Sequence, residues 1–392
     1  MRVRTRLRFG AAMLLALTLV LTACQTDQAS PEASAFWELD DTPSSDAQAG
    51  DLHSTQQRDD APEGARGWNM IYVSEILEDT YKYVSGEVYI PDEPAETPRD
   101  VVLWNHQTTG LPDECAPSRT EVDDTRIPAL EQLLDDGHIV VASDYPGQGL
   151  PGPVYYMVGQ VNARASLDAL KAAEHLPNLE TSGRFVQYGF SQGGQTTMHA
   201  EALVQDYAAD FELQGSVLLS PAVRMKALTA NAMTDADLTG FALSMLSGLK
   251  TANPDLAYED FLRSEGLEIL PEVDTGCWDI WRVASSAEEP YRDAAMRDGS
   301  DWAAAMDEVD DFEPAGDTPF LVHHSVEDAI APVEQTRREV HRLCAAGNAV
   351  EYHEYDDLEH GSVVVEAAPD FPAWAQARFN GVSVTDHCPE LN

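Results

Sequence analysis

Positive charge is scarce in this chain: 24 Lys and Arg stand against 68 Asp and Glu, a formal charge of -44 over 392 residues. A polyanion of that size is repelled by phosphate backbones and anionic headgroups, so no nucleic acid and no acidic lipid surface is an expected partner. Cysteine is sparse too, five in all. No two show C-x-x-C spacing and none has a histidine at finger distance, so the usual zinc signatures are missing. Paired acids such as Asp123-Asp124 and Asp356-Asp357 do not follow the calcium-loop spacing, and no metal is expected. Long apolar runs are absent: the stretch from Phe9 to Thr22 is too short to span a bilayer. There is no internal repeat, which argues against a solenoid or propeller.

What is present begins at the N-terminus. Arg2, Arg4, Arg6 and Arg8 form a positive region ahead of the uncharged Phe9–Thr22 stretch, the pattern of a signal peptide. It ends in Leu21-Thr22-Ala23-Cys24, which is similar to the bacterial lipobox, where the cysteine takes a diacylglyceryl group. We therefore expect residues 1–23 to be a lipoprotein signal peptide. The protein would then lie outside the cytoplasm, anchored to the cell membrane through Cys24 or secreted. The alternative is an ordinary cleavage site with an incidental cysteine. Cys115, Cys277, Cys344 and Cys388 remain, an even number in an oxidising compartment, and imply two bridges with three possible pairings.

Residues 24–65 are rich in Ser, Asp, Gln, Ala and Pro, a composition that buries too little surface to offset ordering entropy, and they read as a disordered tether. The expected domain spans 66–392. Trp68–Leu77 and Tyr81–Ile90 meet at Glu78-Asp79-Thr80 and read as a hairpin at a sheet edge. Apolar runs then recur at Val101–Trp104, Ile139–Ala142, Phe185–Tyr188, Val217–Leu219, Phe320–Val322 and Val350–Tyr355, with helical segments between them. That rhythm predicts an α/β fold, a mostly parallel sheet covered by helices on both faces with ligands at the carboxyl ends of the strands. It breaks at about 222–314, where Met233, Phe241, Met245 and Leu246 fall at roughly helical spacing. An insertion there would cap the site; as a peripheral element it should have little core of its own.

Gly189-Phe190-Ser191-Gln192-Gly193 sits between a predicted strand and a predicted helix, the setting of a nucleophile elbow. The alternative is a serine that merely caps a helix in a βα turn. A serine hydroxyl needs a base, and the base needs an orienting acid; in the α/β-hydrolase fold they follow in the order serine, acid, histidine. Asp328, in the loop Ser325–Pro332, is the expected acid and Glu327 its competitor. His360, after the last predicted strand, is the expected base, while His323, His324 and His353 read as structural. An oxyanion hole takes one backbone N–H from the residue after the nucleophile, Gln192, and one from the loop after an early strand. We place the second at Thr108, with Gln107 and Thr109 one residue away and a plain polar loop as the alternative.

Six motifs carry a family likeness: His106-Gln107-Thr108-Thr109-Gly110, Asp113-Glu114-Cys115-Ala116-Pro117-Ser118, Asp144-Tyr145-Pro146-Gly147-Gln148-Gly149, Tyr156-Met157-Val158-Gly159, Gly189–Gly194 and Leu358–Gly361. With them, from Trp68 onward, the chain resembles the secretory lipases. It departs from them at Gln107, where glycine is more usual, and at Gln148, where leucine is. The resemblance implies an α/β-hydrolase fold with a helical lid, and lipase-type ester hydrolysis through an acyl-enzyme on Ser191, with no cofactor. It also implies the pairs Cys115 with Cys277 and Cys344 with Cys388. An ester or lipid is the expected partner and a monomer the expected state. A short-chain or aryl carboxylesterase, a peptidase of the same fold and a non-catalytic surface binding lipoprotein are the competing readings.

Overall fold

The computed structural model describes residues 35–39, 42–123, 125–177, 179–277, 286–292 and 294–391. The expected signal peptide and Cys24 lie outside the described residues. Among the described residues nine strands form one sheet in the order β1-β2-β3-β5-β4-β6-β7-β8-β9. They are β1 (Leu52–Arg58), β2 (Ala65–Leu77), β3 (Thr80–Pro91), β4 (Arg99–Asn105), β5 (Ile139–Ser143), β6 (Thr181–Phe190), β7 (Glu212–Leu219), β8 (Phe320–Ser325) and β9 (Val350–Tyr355). The pairs β1–β2, β2–β3 and β3–β5 are antiparallel. From β5 through β4 to β9 every pair is parallel.

Side chains alternate across a strand, so each parallel strand divides its residues between two cores. Val101, Leu103, Ile139, Val141 and Phe185 face α2 (Gly159–Ala173) and α3 (Gln192–Tyr207), burying Leu167, Leu170, Ala200 and Val204. Their neighbours Val102, Trp104, Val140, Val186 and Tyr188 face the opposite way. There they meet Leu130 and Leu133 of α1 (Leu130–Asp135) and, further along the chain, Val364 and Phe371. Each fully buried Val, Leu, Ile or Phe contributes about 1.5–3 kcal/mol relative to exposure.

Between β7 and β8 the chain forms α4 (Met225–Ala232), α5 (Thr239–Ala252) and α6 (Asp301–Val309) with shorter helical turns. Beyond β8, α7 (Val333–Ala346), α8 (Ser362–Ala367) and α9 (Phe371–Phe379) complete the layers. The insertion does not depend on the sheet for its core. Met225, Leu228, Phe241, Leu246, Phe261, Trp302 and Met306 bury against one another, with Phe261 and Trp302 edge to face at 5.3 Å. Expecting a poor core there was wrong, because apolar residues spread over several short helices close on each other.

The folded domain begins earlier than the expected tether of residues 24–65 allows. Leu52–Arg58 is an edge strand on β2, so the hairpin β2–β3 is not itself the edge. After Leu52, which packs on the core, its residues are polar and at best half-buried until Arg58, so hydrophobic patterning could not reveal it; backbone pairing, Leu52 and one anchor hold it. Arg58 donates to Asn69 at 2.7 Å, to the Ser118 carbonyl at 2.7 Å and to Asp60 at 2.6 Å, and lies 3.3 Å from buried Glu87.

Candidate active site

β6 delivers Phe190 to the carboxyl edge of the sheet, and the chain reverses into α3 within one residue. That residue, Ser191, takes φ 54° and ψ -114°, a conformation costly for a side chain with a Cβ and characteristic of functional strain. Glycines make it possible. A Cβ at Gly193 would lie 1.8 Å from the Asn105 carbonyl oxygen, and one at Gly189 would lie 2.1 Å from the Gly193 oxygen. The elbow is therefore packed backbone to backbone against the end of β4, which places Gln192 beside the loop His106–Gly110. Ser191 donates its N–H to Leu219 at 3.0 Å and accepts from Ala222 at 2.9 Å, tying the turn to β7. It is 3% exposed.

The loop after β8 turns Asp328 inward. Its Oδ1 accepts the N–H groups of Ile330 at 3.0 Å and Ala331 at 2.8 Å, and its Oδ2 lies 2.5 Å from His360 Nδ1. The neighbouring Glu327 is exposed. Burial alone would raise the Asp328 pKa, but hydrogen bonds from His324 and His360 outweigh it and hold the carboxyl well below its ordinary range. An ionised carboxylate facing Nδ1 fixes the proton there and leaves Nε2 as the basic nitrogen. The His360 ring lies 4.9 Å from that of Phe190, the residue before Ser191.

His324 is a residue that sequence reasoning set aside as structural. Its Nε2 is 2.8 Å from the Ala331 carbonyl and 3.3 Å from Asp328 Oδ2, and its Nδ1 is 2.9 Å from Thr336 Oγ1. A ring protonated on Nε2 donates to the first two while accepting from the threonine hydroxyl. It stands four residues before Asp328, across the end of β8, a spacing that carries no face information once the strand gives way to a loop. His323 instead contacts the Tyr355 hydroxyl at 2.8 Å, and His353 contacts Glu351 at 3.1 Å.

On the other side, Thr108 is buried and its Oγ1 is 2.7 Å from the Tyr156 hydroxyl. His106 stacks on Tyr145 at 4.2 Å, and the Tyr145 hydroxyl donates to the His106 carbonyl at 3.0 Å. Gln148, one of the two departures from the family pattern, reaches across and donates its side-chain amide to the Gly110 carbonyl. Gln107 Oε1, Thr109 Oγ1 and Gln192 Oε1 are buried without a hydrogen-bond partner, polar capacity gathered on both sides of the elbow. Asp144 braces the region from beneath, accepting from Ser118 N at 2.9 Å and from Ser85 Oγ at 2.6 Å.

Cys115 is bonded to Cys277 and Cys344 to Cys388. The first bridge joins the insertion to the segment just after the His106–Gly110 loop. Among the described residues, no group of three or more His, Cys, Asp or Glu is placed to hold a metal ion, and no helix is long and apolar enough to cross a membrane.

The profile of the secretory lipase family matches residues 113–287 and 306–387. Lipase A of Moesziomyces aphidis is 24% identical over 305 residues, covering 70% of this chain and 63% of its own length. A secreted triacylglycerol lipase of Malassezia globosa is 24% identical over 356 residues, covering 83% of this chain and 75% of its own length. Several other curated relatives are matched over less than two thirds of their length, 57% in one case. Among solved structures, Candida antarctica lipase A in its closed state superposes with a TM-score of 0.74 at 20% identity, covering 88% of this chain and 86% of that one. The rice cell wall degrading esterase LipA of Xanthomonas oryzae gives 0.66 at 17% identity, covering 85% and 98%. These likenesses establish an α/β-hydrolase fold, and with the profile matching across both the body and the insertion, the chain belongs to the secretory lipase family.

Proposed function

We propose that the protein is a serine carboxylic-ester hydrolase of lipase type, with Ser191 as nucleophile, His360 as general base and Asp328 as the acid that orients it. The observation that carries this reading is the 2.5 Å contact between His360 Nδ1 and Asp328 Oδ2, with the His360 ring set against the residue that precedes a strained serine. In the first half-reaction Ser191 Oγ bonds to the ester carbonyl carbon as its proton passes to His360 Nε2. The N–H groups of Gln192 and Thr108 hold the oxyanion. The bond to the alcohol oxygen then breaks, and His360 returns the proton to the leaving alcohol. In the second, His360 takes a proton from water as the water oxygen bonds to the acyl carbon; the bond to Ser191 Oγ then breaks, His360 returns the proton to that oxygen, and the acid is released. No cofactor enters either half.

The anchor belongs to the same proposal. Residues 1–23 are removed, Cys24 is lipidated, and the chain that follows, as far as Trp37 where Arg119 lies over the ring, spaces a monomeric enzyme from the membrane. Replacing Cys24 by serine should release activity from the membrane fraction without changing its rate; unchanged membrane association would refute the anchor. The catalytic reading is tested by Ser191→Ala on p-nitrophenyl butyrate. Activity should fall by at least about three decades with thermal unfolding unchanged, and retention of a hundredth of the rate would refute it.

A further inference from the structure

A cavity of about 650 Å³ opens beside the proposed catalytic residues, and no residue of the insertion is among those that line it. Three of its lining residues adjoin the proposed machinery: Phe190 precedes Ser191, Gly361 follows His360, and Gln107 belongs to the oxyanion loop. Apolar side chains, among them Ala129, Val365, Ala368 and Pro372, make up most of its wall, with Gln107, Thr125 and Gln132 as polar interruptions. Val365 is 75% exposed, an uncovered branched side chain on a surface otherwise dominated by acids. Glu131 and Asp135 stand exposed at the rim.

We infer that this groove receives the alcohol half of the ester and selects bulky, neutral, apolar alcohols. The inference rests on the hydrolase reading above and on the geometry of proton transfer within it. His360 must hand its proton to the departing alkoxide oxygen, so the alcohol leaves on the histidine's side of the serine. The groove borders that side through Gly361 and through Phe190, against which the His360 ring lies. The insertion packs its own core against Leu111, Tyr156, Met157 and Ala331, on other loops around the site. The two halves of the substrate thus have separate walls. A volume of 650 Å³ is in the range that encloses a whole small ligand, far more than a methyl or ethyl group fills. The rim acids disfavour an alcohol carrying an anion, by like-charge repulsion.

The order of bond breaking supplies a test that a general packing role would not meet. All esters of one acid pass through the same acyl-enzyme, so the groove acts before the alcohol departs and has no part in deacylation. The intact enzyme is assayed on butyrate esters of ethanol and 2-cyclohexylethanol, alcohols of similar acidity, and on p-nitrophenyl esters of rising acyl length. Wild type should show at least a tenfold higher kcat/KM for the cyclohexylethyl ester. Ala368→Trp, which narrows the groove, should erase that preference, and Val365→Ser, at an exposed position that folds readily, should reduce it about threefold. Neither should change the ethyl ester, the acyl-length profile or a deacylation-limited kcat. Equal kcat/KM for the two alcohols in wild type, equal losses on both esters in the variants, or a shift in acyl-length preference would overturn the inference while leaving the hydrolase reading intact. Absence of turnover on every ester would overturn both.

Discussion

The body and the insertion bring residues to the same site by different means. In the body, the groups proposed as catalytic are set by backbone pressed against backbone. Gly193 has no room for a Cβ before Asn105, and Asp328 is held by two amides of its own loop. The insertion has its own apolar core, but its two chain junctions are fastened by carboxylates and its flank by a disulfide. At one junction Asp310 accepts the Met225 N–H at 3.1 Å, and at the other Glu201 of α3 accepts that of Ala315 at 3.1 Å. Cys277 ties the flank to Cys115. Steric fixation tolerates almost no substitution, whereas polar ties and a cross-link respond to pH and to reductant. The proposed chemistry should therefore depend on the first region and access to it on the second.

The sharpest way to separate them is Gly193→Ala. A methyl group there must displace the end of β4, pushing the elbow away from the His106–Gly110 loop. We expect kcat/KM to fall by on the order of 10²–10³ on short and long esters alike, the cost of misplacing an oxyanion donor. A near-normal rate would mean that the elbow and this loop do not need their observed contact.

Loss of the two bridges should have unlike consequences. Cys277→Ser frees the insertion beside the site, should cost about 2–4 kcal/mol of stability, and should depress long-chain more than short-chain ester turnover. Cys344→Ser removes the bridge between α7 and the C-terminal segment and should leave the chain-length profile alone. Stability can be read by thermal unfolding and specificity from a p-nitrophenyl ester series; identical profiles for the two variants would remove the distinction.

The smallest expected effect is on pH dependence. Burial raises the pKa of Glu201 to about 7 and that of Asp310 to about 6, against hydrogen bonds that favour the charged forms. Arg224 and Arg342, which pair with Glu339 at 2.9 and 2.7 Å, and Asp317 share that junction. Both folded-state values lie above the ordinary 4.5 and 3.8, so the stability these acids confer is complete below those values. It is lost as pH rises through about 6 and 7. Glu201→Gln should flatten the upper part of that decline in unfolding measurements between pH 4 and 8, and an unchanged slope would show that Glu201 is not the group responsible.

Legibility in the sequence followed the same division. The strands β4 to β8 were readable because each carries a short buried apolar run followed by a turn, and β9, of which only Val350 is buried, through its spaced Val350, Tyr352 and Tyr355. The elbow was readable because its glycines answer a steric need that few other turns share. β1 was invisible: apart from Leu52 its residues are polar, held by pairing and by the distant partners of Arg58. The insertion's helices were visible as periodicity, but their mutual packing was not, since spacing along a chain does not say what a face meets. The Asp328–His360 contact joins residues singled out from order and local setting. The His324 contact does not, because it depends on a loop folding back over four residues.

The central claim is that Asp328 orients His360, and its most direct measurement is kcat/KM on p-nitrophenyl butyrate for Asp328→Asn beside Glu327→Gln. The amide should keep the fold but lose the carboxylate that fixes the imidazole tautomer, lowering the rate by on the order of 10³–10⁴, as the loss of a triad acid does elsewhere. Glu327→Gln, at an exposed side chain, should stay within about twofold of wild type. Equal losses in the two variants, or a larger loss at Glu327, would contradict the account.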